Sequence, residues 1–134
     1  MTVKNRKIFI SHCWKYSKDY EKIREWCESA SYFLFSDYSI SKNKAFSQLT
    51  DKELESELDE QIRQAGIVIA PTGLYMSYSD WAKFEIDTAI NYGKPILAIE
   101  PWGQERNSDL VASAANKTVG WNQNSLIQGI RDLY

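Results

Sequence analysis

The chain has 134 residues, of which 43% are hydrophobic and 25% charged, and its formal net charge is -2. This length and composition predict one globular domain over residues 1–134, and the charge argues against nucleic acid or an anionic membrane as a partner. We expect a cytoplasmic protein, because the sequence has neither a signal-type segment nor an apolar run near the length of about 20 residues that spans a bilayer. Cys13 and Cys27 lack metal-ligand or disulfide spacing, so we expect reduced thiols and no metal.

Strand and helix patterns alternate along the chain. The apolar runs that predict buried strands are Lys7–His12, Tyr32–Phe35, Ile67–Ala70, Pro95–Ile99 and Thr118–Trp121. Pro71 is expected to stop the third strand. Residues 36–44, after the second strand, fit neither period and are predicted to form a loop.

Helical patterns follow the strands. The apolar residues at helical spacing after the first strand are Tyr16, Tyr20, Ile23, Cys27 and Ala30. The other predicted helices run from a Thr50–Glu53 capping box to Gly66, from Ser79 or Asp80 to Gly93, from Asp109 to Ala115, and onward from an Asn124 cap. The alternation predicts a single doubly wound, flavodoxin-like α/β domain whose five parallel strands have the order 2-1-3-4-5.

One acidic residue interrupts the apolar side of the helix predicted after the third strand. At about 100° per residue, Glu85 falls inside the apolar sector. The other members of that sector are Trp81, Ala82, Phe84, Ile86, Ala89, Ile90 and Tyr92. An ionised carboxylate facing a core is costly unless it is paired, protonated or opened onto a cavity. The pattern alone favours a structural acid over a catalytic one.

Other candidate residues lie at the carboxyl ends of the predicted strands, where doubly wound sheets bind ligands. Ser11, His12 and Asp37 are placed at the switch point, although Asp at such a position is commonly a turn former and a lone His commonly structural. Tyr75 and Trp81 are aromatic candidates for stacking, with core or rim packing as the alternative. The basic candidates for phosphate contacts, with a solvated surface as the alternative, are Lys42, Lys44 and Arg106. The sequence contains neither a Walker motif nor a dinucleotide fingerprint.

Several segments, taken in order, resemble the compact bacterial and archaeal TIR-like domains, a family that includes the TIR-like subunit of the Thoeris antiphage system. These segments are Lys7–His12, Phe35–Ile40, Pro71–Ile86, Gly93–Gly103 and Val119–Asn122. The most specific element is Ser79, Trp81 and Glu85 at the spacing S-x-W-x-x-x-E. In enzymatic members, the Glu of this element is catalytic in cleaving the nicotinamide glycosidic bond of NAD, and it matches Glu85.

The resemblance implies an NAD glycohydrolase or ADP-ribose cyclase in antiphage signalling, with NAD as substrate and no cofactor. It implies Ser11, His12 and Asp37 as lining of the crevice and Trp81 as a packing partner of Glu85 or the ribose. It also implies a homo-oligomer formed by TIR–TIR contacts, and a separate effector protein that senses the product. Two alternatives are a non-catalytic assembly or adaptor module and an enzyme similar to nucleoside deoxyribosyltransferases.

Overall fold

The computed structural model describes residues 4–11, 18–39, 50–72, 80–100 and 109–134. The strands are β1 (Asn5–Ile10), β2 (Leu34–Asp37), β3 (Ile67–Pro71), β4 (Ile96–Glu100) and β5 (Lys117–Gly120). The helices of the described ranges are α1 (Lys18–Ser29), α2 (Asp51–Gln64), α3 (Asp80–Asn91), α4 (Asp109–Ala114) and α5 (Gln123–Leu133).

The strands form one parallel sheet in the order β2-β1-β3-β4-β5, which confirms the predicted architecture. One face is covered by α2, α3 and α4, through side chains such as Leu58, Ile86 and Val111. The opposite face is covered by α1 and α5, through Ile23 and Leu126 among others. Burial on both faces explains why the inner strands are continuously apolar instead of alternating.

The capping box and the left-handed glycine are confirmed. Thr50 accepts a hydrogen bond from the Glu53 amide, and the Glu53 side chain accepts one from the Thr50 amide, both at 3.2 Å. Gly93 follows α3 with a φ of 66°, a conformation that favours glycine. Two boundaries nearby differ from the prediction. The second helix ends at Gln64, with Ala65 as its cap, and α3 ends at Asn91.

Three further sequence-based expectations were wrong in detail. β2 begins at Leu34, not Tyr32, because Tyr32 lies in a turn with a φ of 54°. Pro71 is the last residue of β3, since the Thr72 amide continues the ladder to the Ile99 carbonyl at 2.9 Å. The cap of α5 is Asn122 and not Asn124, because the Asn122 side chain accepts from the Ser125 amide at 2.8 Å.

Gly129 allows α5 to approach the sheet closely. A Cβ atom at this position would lie 2.9 Å from Leu97 Cδ1 and 3.2 Å from Val119 Cγ1, closer than side chains normally pack. We therefore expect Gly129→Ala to lower the free energy of unfolding by about 1–3 kcal/mol, as overpacked cores do. Urea unfolding would measure this, with Gln128→Ala on the exposed side of the same helix as a control. Equal midpoints for the two variants would contradict the close approach.

Candidate active site

Glu85 occupies a core position of α3. The buried residues of this helix include Ala82, Glu85, Ile86 and Ala89, which have the i, i+3, i+4 and i+7 spacing of one helix face. Glu85 itself is 1% exposed. The predicted apolar sector was too wide, because Ile90 is 54% and Tyr92 41% exposed, but Glu85 lies on the side that packs inward.

Burial makes the charged form of Glu85 unfavourable. It raises the pKa of the Glu85 carboxyl group well above the usual value, because water no longer solvates the anion. The Ser11 hydroxyl lies near the carboxyl group and lowers its pKa, but this effect is smaller than that of burial. In the resting domain Glu85 is therefore protonated more readily than a solvent-exposed glutamate would be.

Ser11 follows β1 directly and is 0% exposed. Its amide donates to the Ile69 carbonyl at 2.8 Å, which fixes the end of β1 against β3. Within the described residues the Ser11 hydroxyl oxygen has no hydrogen bond of standard distance and angle, so its contact with Glu85 is a weak one. The fold thus brings together two residues that the sequence placed at one site, from β1 and α3.

Asp37 is the last residue of β2, whereas the sequence placed it in the loop that follows. Its side chain is 6% exposed and accepts hydrogen bonds from Arg24 Nη1 at 2.6 Å and Tyr20 Oη at 2.7 Å. The Ser39 amide also donates to Asp37 Oδ1, at 2.9 Å, which is the pattern of an Asx turn. These contacts support the turn-forming interpretation, and a substrate contact by Asp37 stays a prediction.

Tyr20, Arg24 and Ser39 were not identified as site residues from the sequence. Tyr20 fitted an apolar helix pattern, and nothing local in the sequence pairs it or Arg24 with Asp37. Burial, followed by the hydrogen bond to Asp37, raises the pKa of Tyr20 to about 12, so Tyr20 remains a neutral hydrogen-bond donor at physiological pH.

Trp81 is partly buried and packs against the core and against Phe84. The two rings meet edge to face, with centroids 6.1 Å apart and an interplanar angle of 82°. This supports a packing role near Glu85, and a ribose contact stays a prediction. The remaining candidates lie outside the described residues: His12, Lys42, Lys44, Tyr75 and Arg106.

Other chemical features of the described ranges are few. No group of three or more His, Cys, Asp or Glu side chains among them could hold a metal ion. Burial raises the pKa of Cys27 to about 12, so this free thiol is poorly nucleophilic, while Cys13 lies outside the described residues. None of the helices described is long and apolar enough to cross a membrane.

Comparison with solved structures gives the same architecture at low sequence identity. The Clostridium botulinum CMP N-glycosidase BcmB matches 96% of this chain and 100% of its own, with a TM-score of 0.61 and 16% identity. A prokaryotic SEFIR domain matches with a TM-score of 0.55 and 12% identity, covering 96% of this chain and 95% of its own. A 3-dehydroquinate dehydratase-like protein from Bifidobacterium longum matches with a TM-score of 0.51 and 10% identity, covering 99% of this chain and 95% of its own. These similarities concern the fold alone.

The sheet order and the covering helices define the class, a doubly wound α/β domain. The family model for the TIR-like domain of the Thoeris protein ThsB matches residues 9–106. This chain therefore belongs to the Thoeris ThsB TIR-like family. No curated protein matches the sequence.

Proposed function

We propose that this domain cleaves the nicotinamide glycosidic bond of NAD. The observation that carries the proposal is the burial of Glu85 at 1% exposure, in a helix that follows a central strand of the sheet, beside the end of the adjacent strand. A buried carboxyl group with a raised pKa at a switch point is a recognised sign of a functional site. Membership of the ThsB family supports the same residue through its Trp81 and Glu85 spacing.

Cleavage of this bond requires a carboxylate near the ribose and no proton donor for the leaving group. The bond between ribose C1′ and the nicotinamide nitrogen breaks, and its electron pair goes to the ring, which leaves as neutral nicotinamide without needing a proton. Positive charge develops on the ribose, and an ionised Glu85 nearby would stabilise it electrostatically. Water attacking C1′ then gives ADP-ribose and releases a proton, whereas a nucleophile of the same molecule gives a cyclic isomer.

The ionisation state of Glu85 links substrate binding to catalysis. Burial favours the protonated form in the resting domain, but the reaction needs the anion. The nicotinamide ring of NAD is a cation, and an adjacent positive charge favours ionisation of a carboxyl group. Substrate binding would therefore promote the active form of Glu85, and proton loss would accompany binding at neutral pH.

The biological role follows from the family. Thoeris membership supports a part in antiphage defence, in which an NAD-derived product acts as a messenger for a separate effector protein. Self-association through TIR–TIR contacts would be the means of activation, with NAD as substrate and no bound cofactor.

Two other functions remain candidates. The similarity in fold to a CMP N-glycosidase supports cleavage of a nucleotide N-glycosidic bond other than that of NAD, close to the deoxyribosyltransferase-like alternative. A non-catalytic assembly module is the second, because TIR-like folds serve both purposes.

The test is product analysis with purified protein. The chain is incubated at low and high concentration with NAD or with CMP, and free nicotinamide, free cytosine, ADP-ribose and cyclic isomers are separated by retention and mass. Nicotinamide release supports the proposal. Cytosine release alone would replace NAD by another nucleotide, and no release from either substrate by an assembled sample would leave the adaptor function.

A further inference from the structure

The arginines of the described ranges divide into two pairs by what they contact. Arg24 and Arg63 form ion pairs with carboxylates. Arg6 and Arg131 instead lie over the ring of Phe33, with their guanidinium carbons 5.6 and 5.9 Å from its centroid. An aromatic ring attracts a cation but does not neutralise its charge. Within the part of the chain that the structure describes, both of these positive charges therefore lack a carboxylate partner.

The Nε group of Arg6 is buried, and it has no hydrogen-bond partner among the described residues. A donor that has left water without finding an acceptor lowers stability, and the cost is larger when the group is charged. An apolar side chain of similar length could pack against Phe33 without this cost. The fold alone therefore does not explain an arginine at this position, whereas an anion supplied by another molecule would.

Tyr32 lies beside Arg131 in an unusual backbone conformation. Its φ of 54° falls in the left-handed region that favours glycine, and its side chain is 85% exposed. Arg131 Nη2 donates to the carbonyls of Ser31 and Tyr32, at 3.1 and 3.4 Å. A large aromatic side chain at a strained position, with so little of it packed in the fold, points to a contact outside the chain.

These side chains belong to one surface at the amino ends of β1 and β2. We call it the basic surface, and its members are Lys4, Arg6, Tyr32, Leu34 and Arg131. Lys4 adds a third cation without an ion pair among the described residues, its Nζ lying 4.5 Å from the ring centroid of Tyr134. Leu34 adds a second apolar side chain, which is 54% exposed. The basic surface lies at the edge of the sheet opposite to Ser11, which follows the carboxyl end of β1.

The composition of the basic surface indicates the chemistry of its partner. Three cations without carboxylate partners attract an anion, and the exposed Tyr32 and Leu34 favour apolar groups next to that anion. A nucleic acid or an anionic bilayer would be repelled by the chain as a whole, whose formal net charge is -2. A short acidic segment of a protein would meet the basic surface alone. Tyrosine and arginine are also the residues that commonly dominate binding energy at protein interfaces.

We propose that the basic surface binds an acidic segment of a partner protein. A carboxylate of the segment pairs with the Arg6 guanidinium, and an apolar side chain of the segment packs against Tyr32. In the complex the partly buried Arg6 side chain turns so that Nε and one Nη nitrogen face the carboxylate, the bidentate geometry that a planar guanidinium favours. The inference does not rest on NAD cleavage. Binding here would leave the carboxyl ends of the strands uncovered.

The test of binding uses the whole chain and a defined probe, an acetylated and amidated peptide of alternating glutamate and leucine. In the wild type, NMR should show a saturable shift of the Arg6 Nε–Hε signal, which is assigned by its loss in Arg6→Met. Calorimetric titration compares the variants. We expect Arg6→Met and Arg131→Gln each to weaken binding by about fivefold or more, and Tyr32→Gly by about threefold or more. Salt at about 0.5 M should weaken binding to the wild type.

Arg63→Gln is the matched control variant. It removes an arginine of α2 that is already paired with Glu60, so the affinity for the peptide should stay within about twofold of the wild type. The control peptide has glutamine in place of glutamate and should not bind. Inorganic phosphate, vesicles containing phosphatidylserine and a single-stranded oligonucleotide are tested in parallel, because each is an anion without an acidic protein segment.

Urea unfolding tests separately whether the fold needs the charge of Arg6. Arg6→Met retains an apolar stem against Phe33 and removes the buried donor, so its midpoint should equal or exceed that of the wild type. This result is expected of a residue that is retained for binding at a cost in stability. A lower midpoint would show that the fold itself requires the arginine, and it would overturn the proposal.

Three binding results would also overturn the proposal. The first is an equal loss of affinity in Arg63→Gln and Arg131→Gln, which would show attraction by charge at any place on the surface. The second is binding of phosphate, vesicles or the oligonucleotide without binding of the acidic peptide, which would replace the protein partner by another anion. The third is binding of none of these probes. NAD cleavage, present or absent, changes none of these outcomes.

Discussion

Glu85→Gln is expected to reduce NAD cleavage by a factor of about 10² to 10³ or more, because the amide cannot offer a negative charge to the ribose in the transition state. Gln has nearly the same shape as Glu, so the packing of α3 against the sheet should remain. The measurement is the rate of nicotinamide release at saturating NAD. The loss should appear in kcat, since the charge that Glu85 stabilises is greatest in the transition state.

Glu55→Gln is a suitable control for this experiment. Glu55 is an exposed glutamate on α2, so the same chemical change there should leave the rate within about twofold of the wild type. If Glu85→Gln retained more than a tenth of the wild-type rate, Glu85 would not be the catalytic group. Circular dichroism of both variants would verify that the fold is intact.

The free energy of unfolding of the wild type should fall as pH rises from about 5 toward 8 because of Glu85. Below the usual glutamate pKa, both the folded and unfolded chains carry a proton on this residue, and it has no effect. Above that pKa the unfolded chain loses its proton while the folded chain keeps it, because burial raises the pKa in the fold. The unfolded state is then favoured, by up to about 1.4 kcal/mol for each pH unit until the raised pKa is reached.

Urea unfolding of the wild type and Glu85→Gln at a series of pH values would measure this effect. The variant should be the more stable protein at pH 7, by about 1–3 kcal/mol, and the difference should shrink toward pH 5. A difference independent of pH, or a variant less stable than the wild type at pH 7, would contradict the proposed cost of ionising Glu85. Such a result would instead indicate an acid that the fold requires.

Burial also raises the pKa of Asp19, but Asp19 is common to the wild type and Glu85→Gln, so its contribution cancels in the comparison. The pKa values of Glu53, Glu60 and Asp132 are lowered by hydrogen bonds, so these groups change stability at more acidic pH. Tyr20 and Cys27 have pKa values raised to about 12 and act only in alkali. Histidine side chains ordinarily titrate near neutral pH, so we would repeat the comparison in His12→Asn, which removes the one histidine of the sequence.

Together the two experiments separate an enzyme from a scaffold. A catalytic Glu85 should show lost activity and gained stability in the same variant, because active sites commonly retain groups that destabilise the fold. If Glu85 is a structural residue, Glu85→Gln should lower the free energy of unfolding without changing the rate of NAD cleavage. The comparison thus tests whether an ionisable group in the core lowers the free energy of unfolding of the wild type.

The sequence by itself was sufficient for the architecture. Continuous apolar runs and the Thr50–Glu53 capping box predict elements from local pattern, and the strand order was predicted as the common one for a five-stranded doubly wound sheet. Glu85 was also identifiable, because a charge within the helix period of Ala82, Ile86 and Ala89 is conspicuous before any coordinates exist. Boundaries were less accurate where the competing groups lie close in sequence, as with Asn122 and Asn124.

The tertiary structure decided how the polar groups pair and how deeply they are buried. Arg24 and Asp37 are far apart in the local pattern, and their contact depends on α1 packing beside β2. The hydrogen bonds between the Ser39 hydroxyl and the Ile10 backbone depend on strand register. The raised pKa of Glu85 depends on the exclusion of water by the surrounding core. Hydrophobic periodicity is a property of neighbouring residues, whereas hydrogen bonding and desolvation arise between distant segments. The sequence therefore identified Glu85 as a candidate, but only the tertiary structure established its burial and its neighbours.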